Sequence, residues 1–264
     1  MKSRIPKRII QTSKRLDLPL LEKAAVANVR LLNPDFEYLF FDDEQVEKFI
    51  DKEFPEYRSI FHSFPIPIQR YDFFRYLAIY RFGGFYLDMD VFLASNLSEL
   101  LNHGCVFPFE ALTLSVFLRE QYNMDWEIGN YAFGAAAGHP FLRAVIENCI
   151  KAQRDVDWAE AMMRSVPRML REDFFVLCTT GPLLVSRTLA EFPDAAKQVK
   201  VLFPDNVCDS THWNRFGTFG IHLMQGGWRK RKGILRRLLY RVWQSLIMRK
   251  MLKKSQRIGH SRAL

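Results

Sequence analysis

The chain of 264 residues is long enough for one large domain, or one domain with an appendage. Its 48% hydrophobic content supports a sizeable core, and its 25% charged content is ordinary for a folded globular protein. No run approaches the ~20 apolar residues of a membrane span, and the first fifteen residues lack the apolar core of a signal peptide, so a cytoplasmic chain is expected.

The net charge of +9 is unevenly placed. Residues 229–264 hold thirteen Lys and Arg and no acid, leaving 25 bases against 29 acids in the rest. A mildly acidic body followed by a basic tail divides the chain at 1–228 and 229–264 and marks the tail as an interaction segment. The four cysteines, Cys105, Cys149, Cys178 and Cys208, form no C-x-x-C pair and are expected as reduced core thiols.

In chain order, residues 5–11 read as a buried strand after a proline, and 20–32 show helical spacing that ends before the turn signal Asn33-Pro34. Aromatic-rich 36–41 reads as a second strand, closed by Asp42-Asp43, and 44–54 as a helix stopped at Pro55. Pro65-Ile66-Pro67 punctuates the chain before a helix over 68–82. Gly83-Gly84 breaks that helix, and Phe85-Tyr86-Leu87 runs as a short strand into Asp88-Met89-Asp90. Further strands are predicted at 105–109, 131–137 and 199–203, and further helices at 141–153 and from Gly181-Pro182 to Leu189. This alternation predicts an α/β layered domain with a mostly parallel sheet.

Two carboxylates one residue apart at the end of a buried strand can converge on one divalent cation. Hard oxygen ligands select Mg²⁺ or Mn²⁺, which are commonly shared with substrate phosphates. A lone D-x-D is a common strand-end pattern, but here the helix before it carries Arg70, Asp72 and Arg75. Asp72 and Arg75, at i and i+3, share a face of a helix otherwise rich in aromatics. A charged pair on so apolar a helix requires a partner or a ligand.

The segment RYDFFRYLAIYRFGGFYLDMDV resembles the D-x-x-R … G-G-x-Y-x-D-x-D pattern of glycosyltransferase family 32, the sugar-transferases with a DXD motif. That group is related to the yeast α-mannosyltransferases and, more distantly, to the clostridial glucosylating toxins. The opening IPKRIIQTSK, the block NPDFEYLFFDD, the stretch from Asn130 to G-H-P-F, Thr180-Gly181-Pro182, and His222 with Gly227-Trp228 follow in the family order. The chain departs from the family pattern at Ile10, Ser13 and Gly227, where the family carries His, Trp and Ser.

The resemblance implies a GT-A type nucleotide-binding sandwich and transfer with retention. It implies that Asp90 is the main ligand of Mn²⁺ or Mg²⁺, that Asp88 lies at the donor ribose or in the metal's shell, and that His222 completes the metal site. Asp72 and Arg75 would grip the donor sugar and phosphate, and Trp228 would donate its indole N–H near the β-phosphate. Gln11 and Thr12 would meet the nucleotide base. Asn130, with residues 135–139, would border donor and acceptor, and Glu110 and Glu127 are candidate acceptor-site carboxylates.

In the tail, Ile234, Leu235, Leu238, Leu239, Val242, Trp243, Leu246 and Ile247 recur at helical spacing, with Arg236, Arg237, Arg241, Arg249 and Lys250 among them. This predicts a C-terminal basic amphipathic helix, read as an anchor to an anionic membrane surface through 229–257. Packing on the body is the alternative. Nucleic acid is not an expected partner, because the body carries no recognition motif.

The sequence reading is therefore a retaining, metal-dependent glycosyltransferase at the inner face of the cell membrane. It takes a UDP- or GDP-linked sugar to a saccharide or lipid-linked glycan acceptor, in surface polysaccharide synthesis. A catalytically degenerate binding or scaffold protein is the alternative. A phosphohydrolase is disfavoured because residues 5–14 lack the nucleophilic Asp expected after a first strand.

Overall fold

The computed structural model describes residues 4–14, 16–164, 166–224, and residues 242, 243, 245 and 246. The strands are β1 (Arg8–Thr12), β2 (Glu37–Phe41), β3 (Gly84–Leu87), β4 (Val91–Leu93), β5 (Cys105–Leu112), β6 (Trp126–Ile128), β7 (Ala132–Ala135), β8 (Lys200–Leu202) and β9 (Gly220–His222). The helices are α1 (Leu20–Leu32), α2 (Asp43–Glu53), α3 (Arg58–Ser63), α4 (Pro67–Phe82), α5 (Val116–Tyr122), α6 (Pro140–Arg154), α7 (Val156–Glu160), α8 (Arg171–Thr179), α9 (Pro182–Glu191) and α10 (Ala195–Gln198).

Seven strands form the main sheet in the order β2-β1-β3-β7-β5-β6, with β8 also paired to β5. β1, β2, β3, β5 and β8 point one way, and β7 and β6 run against them. The sheet is therefore mostly parallel, as the α/β alternation predicts. β4 and β9 form a separate antiparallel ribbon, with Val91 opposite His222.

Both sheet faces are covered, so the central strands β3 and β7 are buried along their whole length and carry no polar side chain other than the Tyr86 hydroxyl. Consecutive strand residues point to opposite faces. Ile10, Tyr86, Phe107 and Phe133 join the core on the side of α4, α6 and α9. Ile9, Phe85, Leu87 and Val106 join Val29, Tyr131 and Phe216 on the other side. Phe107 and Phe133 stack face to face at 4.9 Å, tying β5 to β7 beneath α6.

The α4–β3 unit is built from local signals. Pro67 starts α4, and the Gln69 side chain accepts from the Ile66 N–H at 3.0 Å. Gly83 (φ +65°) and Gly84 (φ +107°) turn the chain straight into β3. A Cβ at Gly84 would lie 2.6 Å from the Arg8 carbonyl oxygen, so only glycine lets β3 approach β1 there.

Three expectations shift. The first strand starts at Arg8, because residues 5–7 precede the paired register. Helices α3, α5, α7, α8 and α10 and strands β4, β6 and β9 were not expected. Cys105, Cys149 and Cys178 are core thiols, but Cys208 is exposed, so it is not one. Gly226, Gly227, Trp228 and the basic helix expected over 229–257 lie outside the described residues, apart from Val242, Trp243, Ser245 and Leu246. Those four are helical, and Trp243 meets Phe174 of α8 edge to face at 5.5 Å.

Candidate functional site

The parallel strands β1, β2 and β3 end on one edge of the sheet, where open α/β sheets hold their ligands. Asp88 follows β3 there, and α4 passes beside it. Asp72 and Arg75 are both 4% exposed, and their ion pair closes at 3.2 Å. The same guanidinium reaches Asp88 Oδ1 at 3.3 Å, donates to the Asn130 carbonyl at 2.8 Å, and lies 4.6 Å over the Tyr86 ring. Burial opposes its charge, but the fields of Asp88, Tyr86 and Asp72 outweigh burial and hold its pKa above the ordinary arginine value.

Asp72 is satisfied on both oxygens. Oδ1 accepts from the Asn130 amide at 3.2 Å and Oδ2 from the Thr180 hydroxyl at 2.8 Å. Burial nevertheless pushes its carboxyl up to about 6, against the pull of Arg75. The Asn130 amide also donates to the Tyr76 hydroxyl at 2.8 Å, and that hydroxyl donates to the Thr180 carbonyl at 2.7 Å. A polar network therefore lies inside an aromatic core and fixes the Asp72–Arg75 pair, while Arg75 Nε is buried without a hydrogen-bond partner among the described residues.

Asp88 is held by three groups. Its N–H donates to the Tyr131 carbonyl at 2.7 Å, Tyr86 donates to Oδ1 at 2.9 Å, and Arg75 faces the same oxygen. Asp90 stands one turn further on, and the β4–β9 ribbon brings His222 to it. His222 Nε2 and Asp90 Oδ1 lie 3.1 Å apart. The imidazole stacks on Tyr131 at 4.4 Å, and its Nδ1 is buried without a hydrogen-bond partner among the described residues. Burial pulls the His222 pKa down, but the Asp90 hydrogen bond and the charges of Asp88, Asp90 and Glu110 outweigh it, so it is raised.

One ligand atom each from Asp88, Asp90 and His222 lie within 4.8 Å of one another. Two carboxylate oxygens and one imidazole nitrogen, all partly open to solvent, fit a divalent cation with positions left for water or phosphate.

The other expected residues are placed as follows. Gln11 is fully buried beneath this corner: its amide reaches the carbonyls of Leu87 and Asp88 at 3.4 and 3.3 Å, and Tyr38 donates to its oxygen at 2.9 Å. It supports the end of β3. Thr12 donates to the Phe41 carbonyl at 2.8 Å, binding β1 to β2. Arg70 turns away and donates to the His62 carbonyl. Residues 135–139 lie at the Gly84 end of β3, because β7 runs antiparallel to it and pairs Ala135 with Gly84. They are thus at the end away from Asp88, and His139 there caps α6. Trp228 lies outside the described residues.

Sequence reasoning did not single out Tyr76, Tyr131, Thr180 or Tyr86 as supports of the charged centre. Tyr86 and Thr180 sit inside recognisable motifs. Tyr76 is one helical turn from Asp72, a spacing that could have been read as sharing its face.

Residues 19–107 match the family described as the glycosyltransferase sugar-binding region containing a DXD motif. The chain is 34% identical over 186 residues to inositol phosphoceramide mannosyltransferase 3 of Schizosaccharomyces pombe, which covers 69% of this chain and 44% of that protein. It is 30% identical over 182 residues to mannosyl phosphorylinositol ceramide synthase SUR1 of Saccharomyces cerevisiae, covering 69% and 41%. The chain thus spans less than half the length of these relatives. In fold it is similar to the ligand-free glycosyltransferase domain of the YGT toxin, with a TM-score of 0.50 at 10% identity over 75% of this chain and 80% of that one.

Proposed function

Since this chain belongs to the glycosyltransferase family whose sugar-binding region contains a DXD motif, we propose that it moves a sugar from a UDP- or GDP-linked donor to a hydroxyl of a lipid-linked polyol. Transfer is metal-dependent and retains the anomeric configuration. The observation that carries this reading is the convergence of Arg75, Asp88, Asp90 and His222 on one corner at the carboxyl ends of parallel strands. The relatives' names favour mannose as the sugar and an inositol-phosphate lipid as the acceptor, and so move the acceptor away from a surface polysaccharide.

Asp88, Asp90 and His222 would hold the divalent cation. When bound, the cation supplies positive charge against which the departing diphosphate is stabilised. Arg75, kept charged by its anionic neighbours, offers planar N–H groups to the donor's phosphate and sugar oxygens. Asp72 holds Arg75 and Asn130 in register from within the core. Trp228 would donate its indole N–H to the β-phosphate side.

No described carboxylate stands out as a nucleophile on the far face of the sugar, so front-face attack is the preferred route. The bond from the anomeric carbon to the diphosphate breaks, the acceptor oxygen bonds to that carbon on the same face, and the acceptor proton passes to the leaving phosphate oxygen. Arg75 stabilises the charge that develops on that oxygen.

No helix among the described residues is long and apolar enough to cross a membrane. The basic residues of 229–257 would instead lay the protein on an anionic leaflet, beside a lipid acceptor. The testing experiment is a panel of nucleotide-sugars with Mn²⁺, scored for free sugar without acceptor and for glycolipid with vesicles containing phosphoinositol lipid. Turnover of one donor supports the reading. No nucleotide binding and no sugar release across the panel overturns it.

A further inference from the structure

Next to the metal corner the sheet carries a second group of polar side chains. β5 and β6 pair antiparallel with a register shift between Phe109 and Ala111, and Glu110 sits at that shift. Glu127, on β6, accepts from the Thr113 hydroxyl at 2.5 Å. Glu127 pairs with Ala111, the neighbour of Glu110, and Tyr131 stacks on His222 at 4.4 Å, so the two glutamates and the tyrosine follow one another from the β5–β6 pair toward His222.

Gly129 shows how tightly this wall is built. A Cβ there would lie 2.4 Å from Glu110 Oε2 and 2.6 Å from Tyr131 Cε1, so carboxylate and ring share the space above the glycine. Tyr131 is 2% exposed, and its hydroxyl makes no hydrogen bond among the described residues. A buried hydroxyl without a partner costs stability unless a ligand or water completes it. Its ring stacks on His222 at 4.4 Å, and the ring edge meets Glu110 Oε2 over Gly129.

We infer that Glu110, Glu127 and Tyr131 form the acceptor subsite, binding vicinal hydroxyls of an uncharged polyhydroxyl ring, a cyclitol or hexose, next to the donor's anomeric carbon. The inference rests on the transferase reading above. Carboxylates are acceptors only, so a pair of them recognises a ring that presents several O–H donors, and it repels phosphate. Any phosphate on the acceptor therefore points away from this wall. A second cation is not what the geometry favours: among the described residues the only cluster of three ligating groups is Asp88, Asp90 and His222.

The test uses the full chain with myo-inositol and methyl α-mannoside as probes, each titrated in the presence of Mn²⁺ and nucleoside diphosphate. Binding is followed by saturation-transfer NMR and calorimetry. The expected result is that one of the two rings binds, which assigns the cyclitol or the hexose class. Glu110→Gln and Glu127→Gln should each weaken that ring about ten-fold or more while shifting nucleotide affinity by less than about two-fold. Tyr131→Phe keeps the stack on His222 and removes a hydroxyl without a partner among the described residues, so it should leave the thermal transition little changed and weaken the ring about three-fold or more.

The inference is overturned if neither ring binds, if the variants bind as well as the parent, or if they lose the nucleotide to the same degree. It is also overturned if Glu110→Gln abolishes a second Mn²⁺. Ring binding that depends on these residues in a protein that binds no nucleotide would leave the subsite standing and remove the transferase reading instead.

Discussion

Arg75 and Asp88 stand 3.3 Å apart, and the Tyr86 hydroxyl reaches the same Asp88 oxygen at 2.9 Å. One oxygen of the carboxylate is thus committed within the protein, and the orientation of the other is set in advance. Tyr86→Phe removes that restraint without changing ring volume. Stability should fall by about 1 kcal/mol. Sugar transfer should fall about ten-fold, with the deficit shrinking as Mn²⁺ is raised. Activity as in the parent at every Mn²⁺ concentration would show that Tyr86 does not position the site.

Asp90→Asn keeps the size of a half-buried side chain and removes a charge that faces His222. Mn²⁺-dependent donor hydrolysis and transfer should both fall by at least about 100-fold, with the thermal transition little changed. Excess EDTA should do the same to the parent protein. Kinetic assays and calorimetry on one preparation decide it, and persistent activity in either case removes the metal.

Asp72 links pH to stability. Its folded-state carboxyl lies at about 6 against an ordinary value of 3.8, because burial disfavours the charged form. The folded state therefore prefers the proton, so this group's contribution is fully present below pH 3.8 and lost as pH rises through 6. Asp72→Asn is neutral throughout and lacks that dependence. Urea unfolding of both proteins from pH 4 to 7 should show the parent losing stability relative to the variant as pH rises, by on the order of 2–3 kcal/mol. A difference that is flat, or that grows in the parent's favour with pH, contradicts it.

Gly84→Ala forces a Cβ at φ +107° to within 2.6 Å of the Arg8 carbonyl. The expected cost is about 3 kcal/mol, a fall of roughly 6–10 °C in Tm, because β1 and β3 must move apart. Differential scanning calorimetry measures it, and an unshifted transition would mean that the strands are not so closely apposed.

The basic tail gives a prediction independent of the chemistry. A chain ending at residue 228 should stay in the supernatant with vesicles rich in anionic lipid, while the full chain sediments with them and is released by salt. Equal sedimentation of the two would end the membrane proposal.

What the sequence revealed follows the reach of its signals. The α4–β3 unit was readable because Pro67, the Gly83-Gly84 turn and helical spacing are all local. Asp72, Arg75, Asp88 and Asp90 were readable because their spacing matches a motif. The three-residue strands β4 and β9 were not, since neither is long enough to show alternation and they pair across about half of the chain. Gln11 shows the opposite difficulty. The family resemblance implied that it meets the nucleotide, but whether an amide faces a ligand or the chain depends on Tyr38 and the Leu87 carbonyl, which only folding brings to it. Tyr76 and Thr180 were hidden for the same reason, since each acts through partners distant in sequence.

The β4–β9 ribbon makes assembly of the metal corner one of the last events available to the growing chain. Every aspartate of the corner is present once residue 90 has been made, but its imidazole is delivered only when residues 220–222 dock on the strand that follows Asp90. A polypeptide stopped short of that point retains the motif by which the family is recognised and lacks a ligand. With the proposed cation at this corner, its loading would report that translation has passed residue 222 and that β9 has paired with β4.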